Sequence, residues 1–398
     1  MPLRPGTGRY PELTAVRGLA ALAVVGTHAA YWTGRYDEST LGLVLARLDV
    51  GVAVFFALSG FLLLRPWLAA AAGAGTPPSA RSYAWARATR ILPGYLVAVA
   101  AAYLFVASPS GNGLGDLVRT LTLTQIYPGA EQHLGLTQMW SLAVEVSFYL
   151  VLPVLAPLLA RLRSTRARLT VLGGLGAVSP LWWVLRARWD APLEAQYWLP
   201  GHLVWFVAGM ALCVLAVERE ATGSADLPGA ARAPGSVWLV GAGLFLVAST
   251  PAAGPATLVP AQAGAATLKS LLYAGVAACV LAPLVARSAS PLVTWLRHPA
   301  LQWLGRVSYE LFLVHLVVIE GVMDVLGYRT FTGDTAVVFV VTLLASLAVA
   351  APLHLVLARL TGRGGGAAPG SGRRRRDRAA GPPGPARHAA RTPTGPRP

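Results

Sequence analysis

The chain alternates long apolar stretches with short polar ones, and this pattern predicts helices that cross a membrane. About 20 mostly apolar residues make an α-helix of roughly 30 Å, which matches the thickness of a bilayer core. Ten stretches have this character: Leu13–Trp32, Val50–Trp67, Ile91–Ala107, Met139–Ala160, Leu169–Leu185, Leu199–Val217, Val237–Ser249, Leu268–Ala286, Leu304–Leu326 and Thr335–Leu357. We therefore predict an all-α, polytopic membrane protein with ten transmembrane helices.

The basic residues support this count and give the orientation. If the N-terminus is cytoplasmic, ten spans place 26 of the 33 lysines and arginines in cytoplasmic segments. Positive charge is enriched on the cytoplasmic side of membrane proteins, so we predict both termini in the cytoplasm and a location in the plasma membrane. The formal net charge of +16 follows from this arrangement and requires no nucleic-acid partner.

Three segments follow from the same pattern. Residues 1–12 are predicted to be a cytoplasmic N-terminus, and residues 13–360 a single membrane domain. Residues 361–398 are rich in glycine, proline and arginine and lack an apolar anchor, which predicts a disordered basic cytoplasmic tail. A solvated tail is favoured over adhesion to anionic lipid.

The first apolar stretch carries two ionisable residues, Arg17 and His28. Their spacing of eleven positions returns to within about 20° of the same helix face. Ionisable groups inside a membrane are costly and usually mark function. Arg17 could also extend to the lipid interface and His28 could bond to a neighbouring helix, but the shared face favours a functional pair.

A carboxylate in the fourth stretch lies at a matching depth. Glu145 follows Trp140 and Ser141 and precedes Tyr149. If this helix enters from outside, Glu145 is about 9 Å deep and His28 about 6 Å deep from the same side. We therefore predict a dyad in which Glu145 orients His28 as a general base, with a purely structural glutamate as the alternative.

Two arginines precede the third stretch. Arg87 and Arg90 are three positions apart and share one helical face. Guanidinium groups at a cytoplasmic membrane edge suit the phosphates of a ligand such as coenzyme A. From spacing alone, ordinary positive charge at the lipid headgroups is the favoured interpretation.

Several small and polar residues are candidates for lining a cavity. Gly60 favours close helix packing, whereas its neighbour Ser59 is compatible with packing or with a polar cavity. Ser308 and His315 are seven positions apart and share a face, and we assign His315 a lining or structural role. Trp140, Ser141 and Tyr149 complete the candidate set. The histidines show no metal-binding spacing, and we predict no metal site.

Five of these stretches, taken together and in order, resemble the bacterial membrane acyltransferase family called acyltransferase type three. The matching stretches are Arg17-Gly18-Leu19-Ala20-Ala21 with His28; Phe55-Phe56-Ala57-Leu58-Ser59-Gly60-Phe61-Leu62; Arg87-Ala88-Thr89-Arg90-Ile91-Leu92-Pro93; Trp140-Ser141-Leu142 with Glu145 and Phe148-Tyr149; and Leu304-Gly305 with Ser308-Tyr309 and His315. They cover about residues 10–357.

The resemblance implies a ten-helix O-acyltransferase that moves an acyl group, often acetyl, from acyl-coenzyme A. Its acceptors would be hydroxyls of carbohydrates or of small metabolites such as antibiotics. It implies that His28 is the catalytic base, that Arg17, Arg87 and Arg90 serve the donor, and that acyl-coenzyme A is a co-substrate with no tightly bound cofactor. Many members have an acidic residue where this chain has Ala53, and Asp49 lies one turn earlier.

Two function classes therefore remain in view. One is the O-acyltransferase, acting on a cell-envelope glycan or exported glycoside from outside, or on a lipophilic metabolite from the cytoplasm. The other is a proton-coupled transporter or flippase in which Arg17, His28 and Glu145 form a proton relay. A structural scaffold would leave these buried ionisable residues without a role.

Overall fold

A computed structural model describes residues 10–189, 191–222, 232–258 and 261–362. Within these ranges the chain is helical and has no strand, which confirms the all-α prediction. The α-helices are α1 (Glu12–Trp32), α2 (Thr40–Ala46), α3 (Val50–Ala71), α4 (Ala80–Phe105), α5 (Leu114–Leu121), α6 (Met139–Arg161), α7 (Thr165–Gly176), α8 (Val178–Arg188), α9 (Leu199–Thr222), α10 (Pro234–Ala248), α11 (Ala263–Val285), α12 (Pro291–Leu296), α13 (Pro299–Val325) and α14 (Thr335–Leu360). Residues 1–9 and 363–398, which hold most of the two predicted terminal segments, lie outside the described residues.

Eight helical stretches of the described chain are long and apolar enough to cross a membrane. They correspond to α1, α2 with α3, α4, α6, α7 with α8, α9, α11 and α14. The seventh predicted segment forms α10, which has only 15 residues. The ninth forms α13, whose 27 residues include Arg306, Glu310, Glu320 and Asp324 and are therefore more polar than the other spans. A multi-pass membrane protein is thus established, whereas ten spans stay a prediction.

The helix ends gather at two opposite ends of the bundle. At the end where α1 begins, called the proximal end here, Glu12 pairs with Arg297 at 2.5 Å and Arg65 pairs with Glu220 at 2.6 Å. At the end where α1 finishes, the distal end, Thr33 Oγ1 lies 2.7 Å from Thr335 Oγ1. These contacts show which end of α3, α9, α13 and α14 lies beside each end of α1, and so in which direction α1 runs relative to them.

Helices α1 and α13 run in the same direction and touch at two glycines. A Cβ atom added to Gly305 would lie 1.8 Å from the carbonyl oxygen of Thr14, and one added to Gly18 would lie 2.9 Å from the nitrogen of Gly305. Only glycine permits this approach, because any side chain would collide with the opposite backbone. The crossing holds the two helices in register along their length.

Helices α3, α6 and α9 form the centre of the bundle through a stack of phenylalanines. The ring of Phe206 lies 4.4 Å from that of Phe56 and 4.1 Å from that of Phe148. Beside this stack, a Cβ atom on Gly60 would lie 2.1 Å from the carbonyl oxygen of Phe206, which confirms the predicted packing role of Gly60. The large aromatic rings and the glycine contact hold these helices at fixed distances, and the side chains between the helices form the walls of the cavities.

Candidate active site

A cavity of about 140 Å³ lies between α1, α3, α4, α6 and α13 toward the proximal end, and is called the proximal cavity here. It brings together Arg17, Arg87 and Arg90, which come from two separate helices. Its other polar lining residues are Ser59, Ser141, Glu145, Tyr149, Ser308 and Tyr309. Four of the predicted lining residues, Ser59, Ser141, Tyr149 and Ser308, are therefore found together here.

The charges of the proximal cavity favour an anionic ligand. Three guanidinium groups face one carboxylate, that of Glu145, among the lining residues. The buried Nε of Arg87 has no hydrogen-bond partner among the described residues. An excess of positive charge and an unused guanidinium donor suit a phosphate, which accepts several hydrogen bonds from arginine.

Glu145 belongs to the proximal cavity and does not bond to His28. Its carboxylate accepts hydrogen bonds from the hydroxyl of Ser59 and from that of Tyr149, the latter at 2.7 Å. The predicted dyad is therefore not formed. Matching depth along two helix axes does not make two side chains face each other, and α6 turns Glu145 into the proximal cavity, toward Ser59 of α3, instead of toward His28.

A second cavity of about 210 Å³, called the distal cavity, contains His28. It also contains Trp140, and four further aromatic residues line it: Tyr36, Trp183, Tyr197 and Trp205. Its other polar lining residues include Thr27, Tyr36, Arg47, Asp49, Gln196, His202, Lys269 and Ser270. Large aromatic faces with a few polar groups between them are typical of a small-molecule site.

His315 is the hydrogen-bonding partner of His28. His315 Nδ1 lies 2.7 Å from the carbonyl oxygen of Phe312, and His28 Nδ1 lies 2.8 Å from that of Val24. A carbonyl oxygen only accepts, so both Nδ1 atoms carry hydrogen. The single hydrogen on His28 Nδ1 is then shared between the Val24 carbonyl oxygen and His315 Nε2, which lies 3.1 Å from Nδ1 and accepts through its lone pair. The Nε2 atom of His28 keeps its lone pair, which is the form required of a general base.

The sequence contained a signal for this pair that the analysis of single helices missed. His28 follows the contact glycine Gly18 by ten positions, and His315 follows Gly305 by ten positions. On two helices that run in the same direction, equal offsets from a shared crossing give equal depth. His315 is completely buried and lines neither cavity, so of its predicted lining or structural role only the structural one stays, through its contact with His28.

Asp49 shares the distal cavity with His28, whereas Ala53 is completely buried. The carboxylate of Asp49 accepts a hydrogen bond from Tyr273 and pairs with Lys269 Nζ at 2.8 Å. An acidic group of the His28 cavity therefore lies one helical turn before position 53. Lys269 was not among the predicted site residues, because a single lysine at the start of an apolar segment resembles an ordinary flanking charge.

His202 was also missed by the sequence analysis. Its Nε2 lies 2.9 Å from the carbonyl oxygen of Gln196, and its ring lies 5.2 Å from that of Trp140 and 4.6 Å from that of Trp205. His202 Nδ1 has no hydrogen-bond partner among the described residues although the side chain is buried. An unused acceptor in an aromatic cavity is suited to a ligand hydroxyl.

The two cavities share one wall. Val52 of α3 lines both of them, so the arginine-rich site and the histidine site are separated by a single layer of side chains. Arg17 lines the proximal cavity and His28 the distal one, both on the same helix α1. The bundle thus holds an arginine-rich cavity and the imidazole of His28 on opposite sides of a thin partition.

Comparison with known proteins identifies related chains. A family model of the acyltransferase type three group, described as an acyltransferase domain, matches residues 10–355. The acyltransferase MdmB of Streptomyces mycarofaciens is 29% identical over 346 residues, which are 83% of this chain and 83% of that protein. Nodulation protein 10 of Rhizobium leguminosarum bv. viciae is 25% identical over 272 residues, which are 54% of this chain and 72% of that protein. No solved structure matches the chain.

Proposed function

We propose that this chain carries out its reaction across the two cavities. The chain belongs to the acyltransferase type three family and is therefore an O-acyltransferase. The family membership decides against a pure transporter or flippase. The acceptor is a hydroxyl of a carbohydrate or a metabolite. The observation that carries the proposal is the separation of an arginine-rich cavity from the His28 cavity by the side chain of Val52.

The donor in this proposal is acyl-coenzyme A, with acetyl as the transferred group. Arg17, Arg87 and Arg90 bind its phosphates in the proximal cavity, and the acyl-bearing arm extends past Val52 toward His28. The positive charge of the cavity and the unpartnered Nε of Arg87 support this assignment. Acyl-coenzyme A acts as a co-substrate, so no resident cofactor is needed.

The proposed chemistry is a direct proton transfer coupled to attack on the thioester. His28 Nε2 takes the proton of the acceptor hydroxyl while that oxygen bonds to the thioester carbonyl carbon. The carbon–sulfur bond then breaks, and the departing thiolate takes the proton from His28, which leaves the ester and free coenzyme A. His315 Nε2 accepts from His28 Nδ1 throughout and stabilises the positive charge that the ring carries in between.

Glu145 has a different role in this proposal from the predicted one. Its carboxylate holds the hydroxyl groups of Ser59 and Tyr149 at the wall of the proximal cavity. It also offsets part of the charge of the three arginines when no donor is bound. Glu145 is therefore a positioning residue of the donor site.

The proposed membrane arrangement has ten spans, with α10 and α13 completing the set. Both termini and the proximal end face the cytoplasm of a bacterial plasma membrane, where acyl-coenzyme A is available. The distribution of basic residues supports this orientation. The acceptor then meets His28 from the distal end, which suits an envelope glycan or an exported glycoside.

Donor binding tests this function directly. We expect the double variant Arg87→Ala/Arg90→Ala to bind acetyl-coenzyme A at least about tenfold more weakly, because charge-assisted hydrogen bonds to phosphate are lost. The matched control is Arg81→Ala/Arg161→Ala, which removes two exposed arginines that do not line the proximal cavity. Equilibrium dialysis of the purified protein gives the affinity, and unchanged binding in the first variant would contradict the donor site.

A further inference from the structure

A third cavity of about 560 Å³, called the outer cavity, adjoins the distal cavity on the side of the distal end. Four residues line both cavities: Tyr36, Gln196, Thr257 and Leu258. The outer cavity is built from loops in four separate parts of the chain, which supply Gly34, Leu193, Ala256 and Phe331 among others. A ligand that reaches His28 from the distal end therefore contacts the outer cavity as well.

Three aromatic rings form one edge of the outer cavity. The ring of Tyr31 lies 5.3 Å from that of Tyr36 and 5.3 Å from that of Phe331, with the ring planes nearly perpendicular in both pairs. The Tyr36 hydroxyl is fixed by Thr27 Oγ1 at 2.6 Å. Burial raises the pKa of Tyr36 above its ordinary value, so this hydroxyl stays neutral. The ring contacts and this hydrogen bond hold the cluster in place, and its ring faces and the Tyr36 hydroxyl line the outer cavity.

Phe331 is held in an unfavourable position at this edge. Its φ of 67° lies in the left-handed region, which costs free energy for a bulky side chain, and 55% of the residue is exposed. The backbone N–H of Phe331 donates to the carbonyl oxygen of Trp32 at 2.7 Å. The carbonyl oxygen of Phe331 occupies the space that a side chain at Gly34 would fill. A strained backbone that keeps a phenylalanine exposed at a cavity is typical of a binding residue.

The charges along this path indicate a neutral ligand. No charged side chain is found among the described residues that line the outer cavity. In the distal cavity Lys269 is paired with Asp49 at 2.8 Å. The guanidinium of Arg47 donates to backbone carbonyls, among them that of Ala248 at 2.9 Å and that of Ala253 at 3.2 Å. Among the described lining residues, the nitrogens of Lys269 and Arg47 are thus engaged by Asp49 and by backbone carbonyls instead of being left free for a phosphate or a carboxylate.

We infer that the outer cavity is a binding subsite for the second ring of a neutral acceptor, stacked on Phe331 and in edge contact with Tyr31, while the first ring presents its hydroxyl to His28. This inference rests on the proposed function, because it takes the distal cavity as the acceptor site. Aromatic faces bind ring systems through their apolar surfaces. The acceptor is accordingly a glycoside with at least one further ring beyond the one that is acylated.

Binding of defined glycosides tests this inference without acyl transfer. The probes are phenyl and methyl glycosides of a panel of neutral hexoses and 6-deoxyhexoses, titrated into the purified protein and followed by calorimetry. We expect at least one phenyl glycoside to bind about tenfold more tightly than its methyl counterpart, from stacking on Phe331. Phe331→Ala should remove this preference and Phe331→Tyr should retain it.

The matched control is Phe105→Ala, which removes another exposed phenylalanine that lines none of the three cavities. It should leave the phenyl preference unchanged. The inference is overturned if no phenyl glycoside binds better than its methyl counterpart, or if the preference survives in Phe331→Ala. A failure of the proposed function gives a different result: the phenyl preference stands, but acetyl-coenzyme A releases no thiol with any bound glycoside.

Discussion

At the scale of single residues, the proposed function needs the buried imidazole of His28 to serve as a base, and the hydrogen bond to His315 orients that ring. A carboxylate partner would place a second charge in a medium where isolated charges are costly. A neutral His315 orients the ring through its lone pair and adds no charge before the reaction. Its own Nδ1 is fixed by the carbonyl oxygen of Phe312, so the direction of both hydrogens is determined by the backbone.

Removing His315 should slow the reaction and leave donor binding intact. We expect His315→Ala to lower kcat about tenfold to a hundredfold, because His28 loses the acceptor that orients its ring and stabilises its protonated form. The KM for acetyl-coenzyme A should stay within about twofold, since His315 does not line the proximal cavity. Steady-state measurement of thiol release checks both values.

A suitable control for this prediction is His354→Gln on α14, which removes an imidazole outside the proximal and distal cavities and keeps a hydrogen-bonding side chain beside the buried carboxylate of Glu310. It should retain wild-type kcat. A loss confined to KM in His315→Ala would contradict the positioning role. Equal losses in both variants would indicate a general effect on the membrane domain.

The sequence predicted the candidate residues better than their partners. Hydropathy marks Arg17, His28 and Glu145 because each interrupts an apolar stretch, and residue spacing gives depth and face. Neither hydropathy nor spacing within one helix specifies which neighbouring helix that face contacts. Glu145 was therefore expected beside His28 and is found bonded to Ser59 and Tyr149.

At the scale of helices, the crossing of α1 and α13 determines whether the two histidines meet. We expect Gly305→Ala to lower the free energy of unfolding by about 1–3 kcal/mol, because its Cβ would collide with the Thr14 carbonyl and force the helices apart. The same displacement would lengthen the contact between His28 and His315 and lower kcat. Thermal unfolding in detergent and thiol release give the two readouts.

Gly321→Ala on the same helix provides the matched control, since nothing lies within 4 Å of a Cβ added there. Alanine favours a helix more than glycine does, so this variant should be as stable as wild type or slightly more stable. Wild-type stability and activity in Gly305→Ala would show that the close crossing does not hold the site together.

The pattern of apolar stretches predicted every helix of membrane length. The helices α10 and α13, which it also predicted as spans, lie outside the eight candidate spans for different physical reasons. With 15 residues, α10 is shorter than the roughly 20 residues that cross a bilayer core, whereas α13 is long enough but carries polar residues. Several of these, such as Glu310 and His315, face the protein interior, which composition alone does not reveal.

At the scale of the whole molecule, the proposed function needs the two ends of the bundle to face different compartments. In a chain without its two native cysteines, we expect Phe331→Cys at the distal end to react with a membrane-impermeant maleimide in intact cells. Trp85→Cys at the proximal end should react only in inverted vesicles. Both parent residues are exposed aromatics, at 55% and 71%, so a difference in labelling reports the side of the membrane.

The reverse labelling pattern would place the distal cavity in the cytoplasm and would favour a lipophilic metabolite that arrives from inside. Labelling of both positions from one side would contradict the arrangement of helix ends around α1. Either result leaves the chemistry of His28 to be tested separately.

The most direct measurement of the central claim compares acyl transfer and donor binding in His28→Asn. The asparagine amide can still donate toward the Val24 carbonyl, but it has no basic nitrogen in place of Nε2. In membranes with matched expression, we expect acyl transfer from labelled acetyl-coenzyme A to fall at least about a hundredfold, while the affinity for acetyl-coenzyme A stays at its wild-type value. Wild-type transfer in His28→Asn would contradict the assignment of His28 as the base.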